Sequence, residues 1–262
     1  MTTTYAKKHV NLLNIIDNKK INTQYFILKV QAPHDISNIL PGQFVNILVT
    51  DTRHAFLRRP ISIYDIHPLE RTIDLLIQVV GEGTHLLSKL KAGEQLDVLY
   101  PLGKSFSLLE SGKIALLVGG GVGIAPLLFL AKKLYQKGVD VHILLGGKGS
   151  NNIIETKNFE KYGKVYIATE DGSQGERGLL TQHSILRKSD FDMIYSCGPD
   201  AMMRAVANIA AEHTIECEVS LENMMACGIG SCLCCVTPTK SGHQCVCSDG
   251  PVFNTKTLEW NK

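Results

Sequence analysis

The stretch "KIALLVGGGVGIAPLLFLAKKLYQKGVDVHILLGG", Lys113 to Gly147, sets the architecture. It reads as an apolar strand, a glycine turn, a helix and a second apolar strand. Within the helix, Leu127, Leu130, Ala131 and Leu134 fall at helical spacing, with Lys132, Lys133 and Lys137 among the polar positions. "VYIATED" and "MIYSCGPD" follow as further strands, and "AMMRAVANIAAEH" as another helix. Strands alternating with helices make a parallel sheet covered on both faces.

Upstream of about Glu110 the texture is different. "YFILKV", "QFVNILV", "PISIYDI" and "TIDLLIQVV" are short, rich in β-branched and aromatic residues, and separated by turn signals such as "APHD", "LPGQ" and "HPLER". "GTHLLSKLKAG" supplies one short helix, and the rest predicts a small antiparallel barrel. At 262 residues, 44% hydrophobic and 20% charged, the chain has material for about two ordinary domains and a proper core. A net charge of +2 gives no argument for nucleic acid or an anionic membrane. The start, "MTTTYAKKHVNLL", lacks the apolar run of a signal peptide, and no later segment has the length of a membrane span. A cytoplasmic protein is the expectation.

Six of the eight cysteines lie in the last 36 residues. A reducing compartment turns clustered cysteines away from disulfides and towards metal. Cys227, Cys232 and Cys235 give C-x4-C-x2-C, with Cys247 further on, which is the plant-type spacing for a [2Fe–2S] cluster. Gly228 and Gly230 suit a tight loop whose backbone N–H groups face sulfur. Structural zinc remains the alternative, although only Cys232/Cys235 has the C-x2-C spacing of a zinc pair. Cys217, in "IECEVSLE", alternates with acidic residues as one face of a strand and reads as core. The glycine turn "VGGGVGIAPLL" is placed to let backbone N–H groups meet a phosphate. It departs from the Rossmann fingerprint: Pro126 stands where the third glycine belongs, and "ILLGGKG" has no acidic ribose-binding residue.

Four motifs in order, "RRPISI", "GEGT", "GGGVGIAP" and "CGPD", resemble the ferredoxin–NADP reductase superfamily from roughly Tyr5 to His213. With the tail "ACGIGSCLCCV" and "CVCSDGPVF", nearly the whole chain resembles the electron-transfer subunits of class 1B dihydroorotate dehydrogenases. The resemblance implies a multidomain β plus α/β protein: an antiparallel flavin-binding β-barrel over 1–108, a parallel-sheet NAD-binding domain over 109–214, and a small [2Fe–2S] domain over 215–262.

Residue roles follow from the same resemblance. Arg59, Pro60, Ile61 and Ser62 match the barrel motif, with Arg59 on the FAD pyrophosphate and Ser62 at the reactive edge of the flavin. Ile61 replaces the usual aromatic and leaves an apolar wall instead of a stacking ring. Leu76, Ile77 and Gln78 lie on the strand that meets the flavin ring, and Gly83 and Thr84 match the second pyrophosphate turn. Gly120, Gly121 and Gly123 approach the dinucleotide pyrophosphate, while Cys197, Gly198 and Pro199 match the "CGP" beside the nicotinamide. Cys247 aligns with the fourth cluster ligand, leaving Cys234 and Cys245 as packed, inert thiols. No general base is nominated, because hydride transfer between flavin and nicotinamide rests on positioning. NAD rather than NADP is implied by the family alone, since Lys148 would also suit a 2′-phosphate. The implied partner is an FMN-containing dihydroorotate dehydrogenase subunit in a two-plus-two heterotetramer, whose electrons reach NAD+ through the cluster and FAD. Flavin/iron–sulfur subunits of NADPH–ferredoxin oxidoreductases, or of sulfide- or hydrogen-handling complexes, share the same build.

Overall fold

The computed structural model describes residues 7–50 and 56–260. Residues 1–6, which hold Tyr5 and the start of the stretch read for a leader, lie outside the described residues. The first sheet contains β1 (His9–Lys20), β2 (Tyr25–Gln31), β3 (Phe44–Ile47), β4 (Arg59–Ser62), β5 (Asp65–His67), β6 (Thr72–Gln78) and β7 (Gln95–Leu102). All its pairings are antiparallel, in the order β4-β3-β7-β1-β2-β6-β5. The run "PISIYDI", expected as one strand, is β4 and β5 with a crossing point between them. There the Ile63 N–H donates to the Gln43 carbonyl (3.1 Å) and the Tyr64 N–H to the Asp74 carbonyl (2.9 Å). Two consecutive residues thus bond towards opposite ends of the sheet, to the residue before β3 and to β6, so the sheet must curl into a barrel-like shape. Inside it, Phe26, Leu28 and Val30 of β2 meet Ile73, Leu75 and Ile77 of β6. On the outer face of the same pair, Lys29 and Asp74 form an ion pair at 3.6 Å. The short helix α1 (Glu82–Leu87) links β6 to β7.

The second sheet contains β8 (Ile114–Gly120), β9 (Asp140–Gly147), β10 (Lys164–Thr169), β11 (Glu176–Arg177), β12 (Met193–Cys197), β13 (Glu216–Ser220) and β16 (Val252–Asn254). Its order is β11-β10-β9-β8-β12-β13-β16, parallel except for the antiparallel β16. Strand alternation divides β8 between two helices. Ala115 and Leu117 pack with α2 (Ala125–Gln136), whereas Leu116 and Val118 pack with Met203, Val206 and Ala210 of α4 (Asp200–Glu212). Helix α3 (Thr156–Phe159) is a single turn before β10.

Helix α2 is buried beyond the stripe that its spacing predicts. Phe129 reaches the barrel core, and the Lys132 ammonium donates to Asp65 Oδ1 (2.8 Å), Asp65 Oδ2 (3.0 Å) and the Ile66 carbonyl (3.2 Å). The helix is therefore wedged between sheet and barrel, and it fixes one against the other.

The segment from Ile215, expected to leave the second domain, first extends its sheet. Glu216–Ser220 pairs parallel to β12, and Cys217 is buried in the core, as its alternation predicts. The chain then turns into the cysteine loop, the hairpin β14 (Val236–Thr239) and β15 (Gly242–Cys245), and back to the sheet as β16. Among the described residues no helix is long and apolar enough to cross a membrane.

Candidate functional site

The second sheet reverses its strand order between β8 and β12. Ligands in open α/β sheets bind outside the carboxyl ends at such a switch point, because the flanking connections leave in opposite directions and open a crevice. A cavity of about 750 Å³ lies there. It is lined by the ends of β8 (Gly120, Gly121, Gly123), β9 (Gly146, Gly147, Lys148), β10 (Glu170), β12 (Gly198, Pro199) and β13 (Leu221, Glu222, Asn223). A second cavity, about 350 Å³, lies between this crevice and the barrel. Arg59, Pro60, Ile61, Ser62, Leu76, Ile77, Gln78, Thr84 and Cys197 line it. The two cavities adjoin, sharing Gln78, Val122, Gly123, Leu221, Glu222 and Asn223.

On the barrel side the structure separates two neighbouring arginines. Arg58 is held by Asp97 (2.8 Å) and by the carbonyls of Asn46 and Asp97 (3.3 and 3.2 Å). The Arg59 guanidinium has no hydrogen-bond partner among the described residues, and Arg59 lines the cavity, which leaves that group to a ligand. Ile61 and Ile77 pack with the barrel core, while Leu76 faces α2. Thr84 spends its hydroxyl on its own turn: Oγ1 accepts from the N–H groups of Val80 (2.9 Å) and Gly81 (3.2 Å) and donates to the Gly81 carbonyl (3.1 Å). It shapes the loop. Gly83 is buried in α1 and lines neither cavity.

The glycine turn and the "CGP" segment interlock. A Cβ at Gly123 would collide with the Cys197 carbonyl, and one at Gly120 would lie 2.6 Å from Met202 Sδ. Those two glycines admit neighbouring protein, whereas Gly121, at φ +57°, faces open space where a phosphate fits. The turn is a 3-10 segment over Gly121–Ile124, and Pro126 stands in the first turn of α2, where its missing N–H is no loss. Burial, with the Glu222 carboxylate nearby, pushes the Cys197 thiol up to about 12. The acidic side chain absent after β9 has a counterpart after β10: Glu170 lines the same cavity as Lys148. Sequence reading missed it, together with Glu222 and Asn223. The position of all three at the carboxyl ends of the sheet was the available signal.

The cysteine loop follows the shared seam directly. Gly228 (φ +71°) and Gly230 (φ +87°) adopt the left-handed backbone that the tight loop requires. The Ile229 and Cys232 N–H groups donate to Cys227 Sγ (3.5 and 3.4 Å), the Gly230 N–H to Cys247 Sγ (3.2 Å), and the Cys247 N–H to Cys235 Sγ (3.3 Å). Amides aimed at sulfur favour thiolates. Burial opposes ionisation of Cys227, yet the donors from Ile229 and Cys232 outweigh it and bring the thiol down to about 6. Burial and the neighbouring Cys235 push Cys247 up to about 12. These contacts bring Cys227 to Cys232 and Cys235 to Cys247. Four cysteines in two pairs suit a centre with two irons. Cys245 is buried, beside Cys235. Cys234 is exposed, contrary to its reading as packed, because its Sγ meets only the Met224 carbonyl at 3.6 Å on the outer side of the loop. Met224 and Leu233 are 82% and 65% exposed beside it, an apolar surface around the loop.

Three family models match in succession: an oxidoreductase FAD-binding domain over 13–106, an oxidoreductase NAD-binding domain over 117–208, and the iron-sulfur cluster binding domain of dihydroorotate dehydrogenase B over 222–259. A dihydroorotate dehydrogenase B (NAD(+)) electron transfer subunit from Fusobacterium nucleatum is 38% identical over 253 residues, covering 93% of this chain and 96% of the relative. Its counterpart from Bacillus mycoides is 40% identical over 246 residues, covering 91% and 94%. Among solved structures, a chain of the NADH-dependent reduced ferredoxin-NADP oxidoreductase superposes with a TM-score of 0.86 at 32% identity, covering 97% of this chain and 91% of that one. The ferredoxin reductase of carbazole 1,9a-dioxygenase, at TM-score 0.70 and 19% identity over 80% of this chain and 67% of its own, shares the fold.

Proposed function

The chain belongs to the family of electron transfer subunits of dihydroorotate dehydrogenase B (NAD(+)), and on that premise we propose that it carries electrons from a catalytic partner subunit to NAD+. The observation that carries the reading is a single segment, Ser220–Cys227. It leaves β13, lines the seam between the flavin and dinucleotide cavities through Leu221, Glu222 and Asn223, and runs straight into the cysteine loop. When bound, FAD exchanges two electrons with a nicotinamide as hydride and single electrons with an iron–sulfur centre.

This chain's residues supply the positioning. Arg59 holds the FAD pyrophosphate through charge-assisted hydrogen bonds, and Pro60, Ile61 and Leu76 form the apolar wall beside the ring. Ser62 and the backbone of Ile77 and Gln78 face its edge, and Thr84 keeps the loop after β6 open around the phosphates. Gly121 brings backbone N–H groups to the NAD pyrophosphate, while Gly120, Gly123 and Gly198 let the turns close on each other. Pro199 and Cys197 flank the nicotinamide end. Cys197, held as a neutral thiol, presents no charge there. Cys227, Cys232, Cys235 and Cys247 ligate the cluster, with N–H donors already in place around three of the sulfurs.

The partner in this reading is an FMN-containing dihydroorotate dehydrogenase subunit, met through the apolar surface of Met224 and Leu233, in a two-plus-two heterotetramer in the cytoplasm. Functionally, 1–108 serves FAD, 109–214 serves NAD and 215–262 holds the cluster, with β13 shared between the last two. The test is an anaerobic tagged pull-down from the native host, assayed for NAD+ reduction by dihydroorotate. Co-purification of an FMN protein with turnover supports the assignment. An inactive complex holding a different redox protein removes the pathway and leaves the cofactor sites standing. A second reading, a subunit of a ferredoxin-NADP oxidoreductase, is favoured by the 0.86 superposition, and the same pull-down separates the two.

A further inference from the structure

Strand β3 carries a buried amide with no partner. Asn46 is 0% exposed, and among the described residues neither its Nδ2 nor its Oδ1 makes a hydrogen bond. A buried polar side chain left unpaired bears its full desolvation penalty, so its retention in a barrel wall asks for an acceptor. Strand alternation says where it points. Val45 and Ile47 turn into the barrel core, so Asn46 turns outwards. Phe44 shares that outward face and packs in the same cluster as Cys235 and Cys247.

The neighbour on that face is the cysteine loop. A Cβ at Gly228 would lie 2.8 Å from Asn46 Nδ2, and Gly228 directly follows Cys227. The missing side chain of Gly228 therefore lets the amide pack directly against the loop, beside Cys227. Within the sheet Asn46 is in register with Pro60 of β4, which lines the flavin cavity. The amide thus has the cysteine loop on one flank and a residue of the flavin cavity on the next strand.

We propose that Asn46 donates a hydrogen bond from Nδ2 to a sulfur of the iron–sulfur cluster and thereby raises its reduction potential. The inference rests on the reading of Cys227, Cys232, Cys235 and Cys247 as cluster ligands. Reduction adds negative charge to the sulfurs, and a donor aimed at them stabilises the reduced state more than the oxidised one. Because the donor belongs to the flavin-binding barrel and not to the cysteine loop, the cluster is poised correctly only when docked against that barrel. Asn46 is a positioning residue in this scheme.

The experiment compares the wild-type complex with Asn46→Leu and Asn46→Ala, purified anaerobically with the catalytic partner. Iron and acid-labile sulfide are assayed, and the cluster is titrated with redox mediators under electron paramagnetic resonance. Asn46→Leu removes the amide at similar volume, and Asn46→Ala removes it without adding bulk or charge. The expected result is full iron in all three proteins, with the reduced-to-oxidised ratio of both variants shifted about tenfold towards oxidised, about 59 mV for one electron. Full iron with unchanged potentials overturns the proposal, since the amide is then satisfied by water. If Asn46→Leu fails to hold iron, the titration of Asn46→Ala decides by the same criterion. Wild-type protein without iron overturns the ligand assignment itself, a separate result.

Discussion

The glycine turn after β8 and the cysteine loop after β13 stand two strands apart at the same end of one sheet, and both offer backbone N–H groups to a charged group. They are held in opposite ways. The turn is locked by the protein: β8 is buried from Ala115 to Val118, Gly123 lies under the Cys197 carbonyl, and Gly120 lies against Met202. The loop is held by a two-stranded hairpin, and its donors point at its own sulfurs, with Cys232 exposed. A site made of backbone inside a regular hydrogen-bonded frame keeps its shape alone. A site made of thiolates needs the metal centre to complete it.

The sharpest break between the two comes from Cys247→Ser. Iron and acid-labile sulfide should be lost almost completely, and limited proteolysis should cut within 222–250 while the sheet and bound FAD persist. Retention of full iron would move the fourth ligand to Cys245. Next in size is the pair Gly123→Ala and Gly121→Ala, followed by urea unfolding of the FAD-loaded protein. The first overpacks backbone against backbone and should cost about 3 kcal/mol. The second meets open space at φ +57° and should cost about 1 kcal/mol. Equal losses would show that the turn is not locked as described.

On the barrel side, Arg59→Ala should remove charge-assisted hydrogen bonds of about 2 kcal/mol and weaken FAD binding by more than tenfold. Arg58→Ala should leave flavin content unchanged and lose about 2 kcal/mol of stability, because its mostly buried pair with Asp97 would leave a buried carboxylate oxygen unpaired. Flavin fluorescence titration reads both, and a reversed ranking would reassign the cavity. The smallest effect concerns Cys197. Its thiol is raised to about 12 by burial and by Glu222, so the neutral form dominates through neutral and mildly alkaline pH. The rate of flavin reduction by NADH should therefore show no inflection from this group up to about pH 9. An inflection that Cys197→Ser abolishes would sink the assignment.

Where the reading of the chain fell short, the reasons are physical. β1 carries no clean alternation: Val10, Leu12 and Ile16 are exposed apolar residues, and a bulge between Ile15 and Asp17 breaks its period. β13 was set apart from the second sheet because cysteines, not periodicity, dominate the composition that follows it. The burial of α2 on two faces depends on the barrel, which no helical spacing reports.

By itself the amino-acid sequence determined the local matters: the strand–turn–helix–strand unit, the spacing of Cys227, Cys232, Cys235 and Cys247, and the glycines whose backbones need positive φ. These are legible because a helix repeat, a strand repeat or a tight turn is set by neighbours a few residues apart. The tertiary structure alone decided which arginine of Arg58 and Arg59 is free, which glycines face protein and which face open space, that Glu170 and Glu222 enter the crevice, and that Asn46 stands behind Gly228. Each of these depends on groups far apart in the chain, and only the closing of the barrel and the reversal of strand order between β8 and β12 bring them together.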